Sequence, residues 1–207
     1  MPTTTVQDPL GALLAERGVL LADGATGTNL FNMGLGSGDA PELWNVEAPE
    51  KIRALYSGAV DAGSDLFLTN TFGGNASRLK LHSAERRVRE LNRIGAELGR
   101  EIAEKADRKV LVAGSMGPTG EIMAPMGSLT HARAVEMFHE QAEGLKDGGA
   151  DILWVETISA PEEYRAAAEG CRLAGMPWAG TMSFDTAGRT MMGVTSADFV
   201  KLVTKLP

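Results

Sequence analysis

Gly63-Ser64-Asp65-Leu66-Phe67-Leu68-Thr69-Asn70-Thr71 aligns without gaps on Gly149-Ala150-Asp151-Ile152-Leu153-Trp154-Val155-Glu156-Thr157. Each copy reads as a helix end, a turn, a buried strand and a polar tip. The glycine can close the preceding helix, because it takes a left-handed backbone without steric cost. The apolar run that follows does not alternate with polar residues, as expected of a strand covered on both faces in a parallel sheet. Asn70 or Glu156 then arrives at the C-terminal end of its strand, the end that faces the active site in a parallel β/α barrel.

The same rhythm runs through the chain. Strands are expected at 19–22, 65–69, 109–113, 151–155 and 178–182, with helices near 50–62, 85–106, 130–147, 161–174 and 196–205. Val88, Leu91, Ile94, Leu98 and Ile102 recur at three- and four-residue steps, as do Val135, Phe138, Ala142 and Leu145, so each helix presses one apolar stripe on the sheet. The opposite faces, Glu85-Arg86-Arg87 and Arg89-Glu90, read as solvated surface. The expected class is α/β, of the (β/α)8 TIM-barrel type. About the first five βα units fall within residues 1–207, so the single barrel domain is expected to be C-terminally incomplete, since a closed barrel takes eight units and about 250 residues. Leu206-Pro207 reads as a helix end before a further connection.

A net charge of -7 with no block of like charges argues against nucleic acid and anionic membranes as partners and points to a small molecule. No apolar run approaches the roughly 18 residues of a membrane span, and the start, MPTTTVQDPLGALLAERG, lacks the basic-then-apolar order of a secretory signal, so a cytoplasmic location is expected. Cys171 is the one cysteine. It can form no internal disulfide and no thiolate metal cage by itself.

Five stretches bear polar groups suited to chemistry. In Asp23-Gly-Ala-Thr-Gly-Thr28 the small residues let backbone N–H groups meet an anion while Asp23 offers a partner for an ammonium; a tight turn that needs Gly24 and Gly27 would look the same. Thr69-Asn-Thr-Phe-Gly-Gly74 places Asn70, both donor and acceptor, at a strand end, where it can equally satisfy local backbone groups. Gly114-Ser-Met-Gly-Pro-Thr-Gly120 opens a long connection suited to a lid or substrate loop, with Met116, Met123 and Met126 as either a thioether-friendly surface or gap fillers. Glu156-Thr157 ends a strand whose Ile152, Leu153, Trp154 and Val155 read as core, and Glu156 can pair with Asp23 to grip an ammonium or join a buried salt bridge. Met182-Ser-Phe-Asp185 offers Ser183 or Asp185, although a turn begun by Asp185 explains the same residues. His82, His131 and His139 show no metal spacing and read as surface or packing groups. Cys171, on a helix after Ala167 and Ala168, reads as a small buried group.

Together, Asp23-Gly-Ala-Thr-Gly-Thr28, Leu68-Thr-Asn-Thr-Phe72, Gly114-Ser-Met-Gly-Pro-Thr-Gly120 and Val155-Glu-Thr157 resemble the homocysteine S-methyltransferase family across nearly the whole chain, and in particular the homocysteine-binding module of cobalamin-dependent methionine synthases. The resemblance implies methyl transfer to a zinc-bound homocysteine thiol. It implies that Asp23 and Glu156 hold the substrate ammonium, that the N–H groups of Ala25 and Thr26 receive its carboxylate, and that Asn70, a possible catalytic residue, lies beside the reacting sulfur. The family's three zinc-binding cysteines, at the sixth strand and near the eighth, have no counterpart in this sequence, so no metal ligand is expected here. The methyl donor stays open among methylcobalamin on a partner protein, a betaine and a sulfonium compound. A homo-oligomer, a non-catalytic amino-acid-binding half-barrel completed by a partner chain, and a methyltransferase for another thiol also stay open.

Overall fold

A computed structural model describes residues 7–185 and 187–206. The first six residues of the N-terminal stretch and Pro207, on which the reading of a final helix end depends, lie outside the described residues. The elements follow in the order α1 Pro9–Arg17, α2 Thr26–Asn32, a short 3-10 turn Pro41–Leu43, α3 Trp44–Glu47, α4 Pro49–Asp61, β1 Leu66–Leu68 and α5 Ala76–Lys80. A 3-10 turn at Glu85–Arg87 leads into α6 Val88–Lys105, and then come β2 Leu111–Met116, α7 His131–Asp147, β3 Ile152–Ile158, α8 Pro161–Ala174, β4 Trp178–Met182 and α9 Ser196–Val203. The strands form one parallel sheet in the order β1-β2-β3-β4.

Side chains alternate across the sheet, as a strand's two-residue period requires. Leu111, Ala113 and Ile152 pack with Leu66 and with Leu13 of α1 on one face, with Trp154 and Ala179 against them. Leu153 and Val155 turn to the other face, where Phe138, Leu145, Tyr164 and Cys171 of α7 and α8 complete the largest cluster. Tyr56, Phe67, Leu98 and Val112 form a further layer under α4 and α6. The helices thus cover one side of the sheet, and α1 plugs part of the other.

The repeated stretch is repeated in structure. Gly63 and Gly149 take φ of 97° and 85°, which turns each helix end into its strand. The Asp65 carboxylate accepts from the Leu21 N–H at 2.7 Å, and the Asp151 carboxylate from the Val112 N–H at 2.8 Å. Arg17 from α1 and Arg100 from α6 pair with these same aspartates. In both copies, an aspartate at the foot of one strand holds the backbone of the strand before it and an arginine of the helix before that.

One expected strand does not form as such. Residues 19–22 contribute only a parallel bridge between Ala22 and Leu66, together with the backbone bonds Asp65 N–H to Leu21 O at 2.7 Å and Asp23 N–H to Leu66 O at 3.2 Å. Among the described residues this segment has a partner on one side only, and Val19 and Leu21 are 79% and 52% exposed. A full strand in the middle of a barrel would bury them on both sides. At the opposite edge, β4 pairs only with β3 among the described residues, so the sheet they form is open.

Candidate functional site

The C-terminal ends of the strands and the connections that leave them surround a cleft of roughly 740 Å³. Asp23, Ala25, Thr26, Asn70 and Glu156 all line it.

Asp23 follows the Ala22 bridge directly, and its Oδ2 accepts from the Leu68 N–H at 3.1 Å, which ties it to β1. Burial pushes its carboxyl up to about 6, and the charge of Glu156 adds to the rise against the opposing Leu68 bond. Glu156 accepts from the Ser115 hydroxyl, and burial also raises its carboxyl above the usual range. Asp23 and Glu156 thus stand half-buried on one cleft, neither of them in a salt bridge among the described residues, and each would ionise more readily beside an ammonium.

A backbone irregularity accompanies Glu156. Val155 pairs with Gly180 and Ile158 with Met182, so β3 carries one extra residue at this point. Thr157 takes a φ of 61°, an unfavourable conformation for a β-branched residue. Bulges of this kind re-aim side chains and recur beside active sites. Gly180 makes room for it, since a Cβ there would fall 2.9 Å from the Val155 carbonyl oxygen.

Ala25 is the N-cap of α2 and provides no side-chain cap. The first N–H groups of a helix have no partner within it, and Ala25 and Thr26, at this start of α2, both line the cleft. Asn70 is more constrained. It is 3% exposed; its Nδ2 donates to the Pro41 carbonyl at 2.8 Å and to Asn45 Oδ1 at 3.0 Å, while its backbone N–H reaches the Tyr56 hydroxyl at 2.6 Å. These bonds hold Asn70 as a fixed part of the wall.

Other expected residues fall elsewhere. Met116 and Met123 are buried in the outer core and Met126 is exposed, so none of the three lines the cleft. Asp185 begins a turn, accepting from the Ala187 N–H at 2.8 Å, and Ser183 lies exposed outside the cleft lining. His131 and His139 contact Glu169 and Glu143 on the surface, whereas His82, read from sequence as surface or packing, lines the cleft. Trp154, expected in the core, packs on the inner apolar cluster and lines the cleft as well. Asp39, Glu42, Arg78 and Thr181 add to the polar lining without having been singled out from sequence, and Ser115 comes from the Gly114–Gly120 stretch.

Residues 20–207 match the family model of the homocysteine S-methyltransferases. The chain belongs to that family. It is 32% identical to the methionine synthase of Mycobacterium tuberculosis and 33% identical to that of Mycobacterium leprae, over 87% of this chain and 16% of each relative. The chain thus spans a minor part of those proteins' length. Its fold is similar to that of the homocysteine methyltransferase MmuM of Escherichia coli in its metallated form, with a TM-score of 0.82 at 26% identity over 97% of this chain and 75% of that one. Against the apo form of the same enzyme the TM-score is 0.73 at 25% identity. The open parallel sheet is therefore part of a TIM-barrel-like homocysteine S-methyltransferase fold.

The family's zinc does not fit the residues described. Among them no group of three or more His, Cys, Asp and Glu could hold a metal ion. Cys171 lies in the outer core, with its Sγ 3.9 Å from Met116 Sδ, and burial drives its thiol far above the usual range. The cleft offers carboxylates, an amide and an imidazole but no thiolate. Cys171 is accordingly expected to resist an aromatic disulfide reagent for hours in the folded protein and to react within minutes in denaturant. Rapid labelling under native conditions would contradict its placement.

Proposed function

We propose that this chain is the homocysteine-binding portion of a homocysteine S-methyltransferase, with residues 1–207 forming one incomplete barrel domain. The observation that carries the proposal is the facing of Asp23 and Glu156 across a cleft whose neighbouring wall is the uncapped N-terminus of α2. The two carboxylates receive the substrate ammonium, and the N–H groups of Ala25 and Thr26 receive its carboxylate, so the thiol-bearing arm extends into the cleft. Asn70, held by Pro41, Asn45 and Tyr56, shapes the wall beside that arm. In the reaction the sulfur, as thiolate, forms a bond to the methyl carbon as the donor's bond to that carbon breaks. The donor keeps the bonding pair, and the thiol proton is lost beforehand. No helix of the described residues is long and apolar enough to cross a membrane.

Calorimetric titration tests this reading. Homocysteine is expected to bind at least about tenfold more tightly than 4-mercaptobutanoate, which lacks only the ammonium, in keeping with a charge-assisted hydrogen bond. Equal affinities would refute the assignment of Asp23 and Glu156.

A pH series adds a second check. The folded pKa of Asp23 lies above its unfolded value, so the contribution of this group to stability is full below the unfolded value and is lost as pH rises through the folded one. Ammonium binding takes the opposite sign, because it requires the ionised form. With a pKa of about 6, roughly a tenth of Asp23 is ionised at pH 5 and about nine-tenths at pH 7, so homocysteine affinity should rise about tenfold across that range. Glu156, also raised by burial, acts in the same direction. A flat profile would show that neither carboxylate meets the ligand.

A further inference from the structure

We propose that Ser115 is a positioning residue for Glu156: its hydroxyl, seated on Thr69 and Thr71 where β1 has ended, fixes that carboxylate at the place where the substrate ammonium meets it. The proposal deepens the homocysteine reading above and rests on it for the ammonium. β1 stops at Leu68 while β2 runs on to Met116, so the end of β2 has no strand on that side. Up to this point the ladder is regular, with the Leu111 N–H donating to the Asp65 carbonyl and the Thr69 N–H to the Ala113 carbonyl, both at 2.9 Å. One more step would bring the Ser115 N–H to the Thr69 carbonyl, because a strand turns its bonding groups to the same neighbour at every second residue. The Thr69 carbonyl is instead taken by the Thr71 N–H at 2.9 Å, as the chain turns away from the sheet.

Two side chains stand in for the missing strand. The Ser115 N–H donates to Thr69 Oγ1 at 3.1 Å, and the Ser115 carbonyl accepts from Thr71 Oγ1 at 2.8 Å. A hydroxyl has one proton to give. That of Thr71 goes to the Ser115 carbonyl, so the 2.6 Å bond between the two threonine hydroxyls is donated by Thr69. Thr69, Thr71 and Ser115 are all buried, at 2%, 0% and 1% exposure, and a buried network with each member satisfied is rigid. The Ser115 hydroxyl then gives its own proton to Glu156 Oε1, at the irregular end of β3. Among the described residues this is the one hydrogen bond that the Glu156 side chain makes. Asp23, Asp39, Glu42, Arg78 and His82 are the other titratable side chains lining the cleft, and none of them bonds to it. The bond favours the ionised carboxylate and so opposes the effect of burial. It also restrains a long side chain that would otherwise lose rotamer freedom when the ligand arrives.

Ser115→Ala removes this tether without stranding a buried polar group, since Glu156 is half-buried on the cleft. In the ligand-free chain, carbon NMR of the Glu156 carboxyl follows its ionisation, and the midpoint in Ser115→Ala should lie above that of the wild type. At pH 7 the variant should bind homocysteine about fivefold to tenfold more weakly, and 4-mercaptobutanoate, which has no ammonium, within about twofold of the wild type. In a Glu156→Gln background the same change should add less than about twofold. Thr69→Val, which deletes the hydroxyl beneath Ser115, should repeat the loss of discrimination, whereas Thr69→Ser, which keeps it, should bind homocysteine within about twofold of the wild type, with a thermal melt of each variant. The proposal is overturned if the Glu156 midpoint does not rise in Ser115→Ala, if that variant leaves homocysteine affinity unchanged or weakens both ligands alike, or if its loss persists in Glu156→Gln. It is also overturned if Thr69→Ser loses as much as Thr69→Val. If the midpoint rises as expected but the wild type binds no homocysteine, Ser115 does position Glu156 and the failure belongs to the function proposed above.

Discussion

Asp23→Asn should weaken homocysteine binding by about 30- to 150-fold at pH 7, the size of a lost charge-assisted hydrogen bond of roughly 2–3 kcal/mol. Asparagine keeps the shape of the side chain and an acceptor oxygen for the Leu68 N–H, which Asp23 engages at 3.1 Å. The link to β1 therefore survives, and what is lost is the negative charge. Burial already works against that charge and pushes the carboxyl up to about 6, so the variant should melt no lower than the wild type and somewhat higher near neutral pH. The rise in affinity between pH 5 and 7 should shrink to the part contributed by Glu156. Calorimetry at both pH values, beside a thermal melt, separates these effects. If Asp23→Asn binds homocysteine within about threefold of the wild type, the ammonium lies elsewhere and the cleft must be read again from its other walls.

The residues at the heart of this prediction were legible in the sequence because strand ends are. An apolar run that stops at a polar tip marks where a side chain enters the mouth of a parallel sheet, and this rule brought out Asn70 and Glu156, with Asp23 after the first run. The first run reads as a whole strand because Val19, Leu20 and Leu21 are apolar; composition cannot reveal that among the described residues it pairs on one side only. The bulge that aims Glu156 was hidden for a related reason. It depends on β3 and β4 falling out of step between Val155 and Ile158, a matter of register between distant segments.

The second wall of the cleft left almost no local signal. Glu42, 5% exposed, and Arg78 sit in a three-residue 3-10 turn and a five-residue helix, both too short to show a period. The helix α1 was not among the expected elements, although Asp8-Pro9, with aspartate as the cap and proline in the first turn, opens it. Of the two readings open for the methionines at the end of β2 and in the loop after it, gap-filling is the one the fold realises for two of them. Met116 and Met123 fill the outer core, where a flexible thioether suits irregular gaps.

The largest effect expected on stability comes from a position remote from the cleft. Gly148→Ala should cost about 3 kcal/mol, at the upper end for overpacking, and lower Tm by about 6–12 °C for a chain of this size. Gly148 caps α7 with φ of -82°, a conformation alanine adopts freely, so the penalty is steric. A Cβ there would lie 2.2 Å from the Arg93 carbonyl oxygen and 2.7 Å from the Ala96 Cβ of α6, and neither atom belongs to a side chain that can swing away. Gly149→Ala is the contrasting case. Its φ of 85° imposes backbone strain of about 1–2 kcal/mol, but its Cβ would meet nothing nearer than the Arg100 side chain at 3.7 Å. The two variants should also differ in the cleft. Gln141 of α7 donates to the Thr71 carbonyl at 2.8 Å and to Asn92 Oδ1 of α6 at 3.2 Å, so separating α7 from α6 loosens the backbone that follows Asn70. Gly148→Ala should therefore weaken homocysteine binding as well as lower Tm, whereas Gly149→Ala should lower Tm alone. If the order of the two melting temperatures is reversed, the α6–α7 contact yields more easily than its geometry implies, and the cleft does not depend on it.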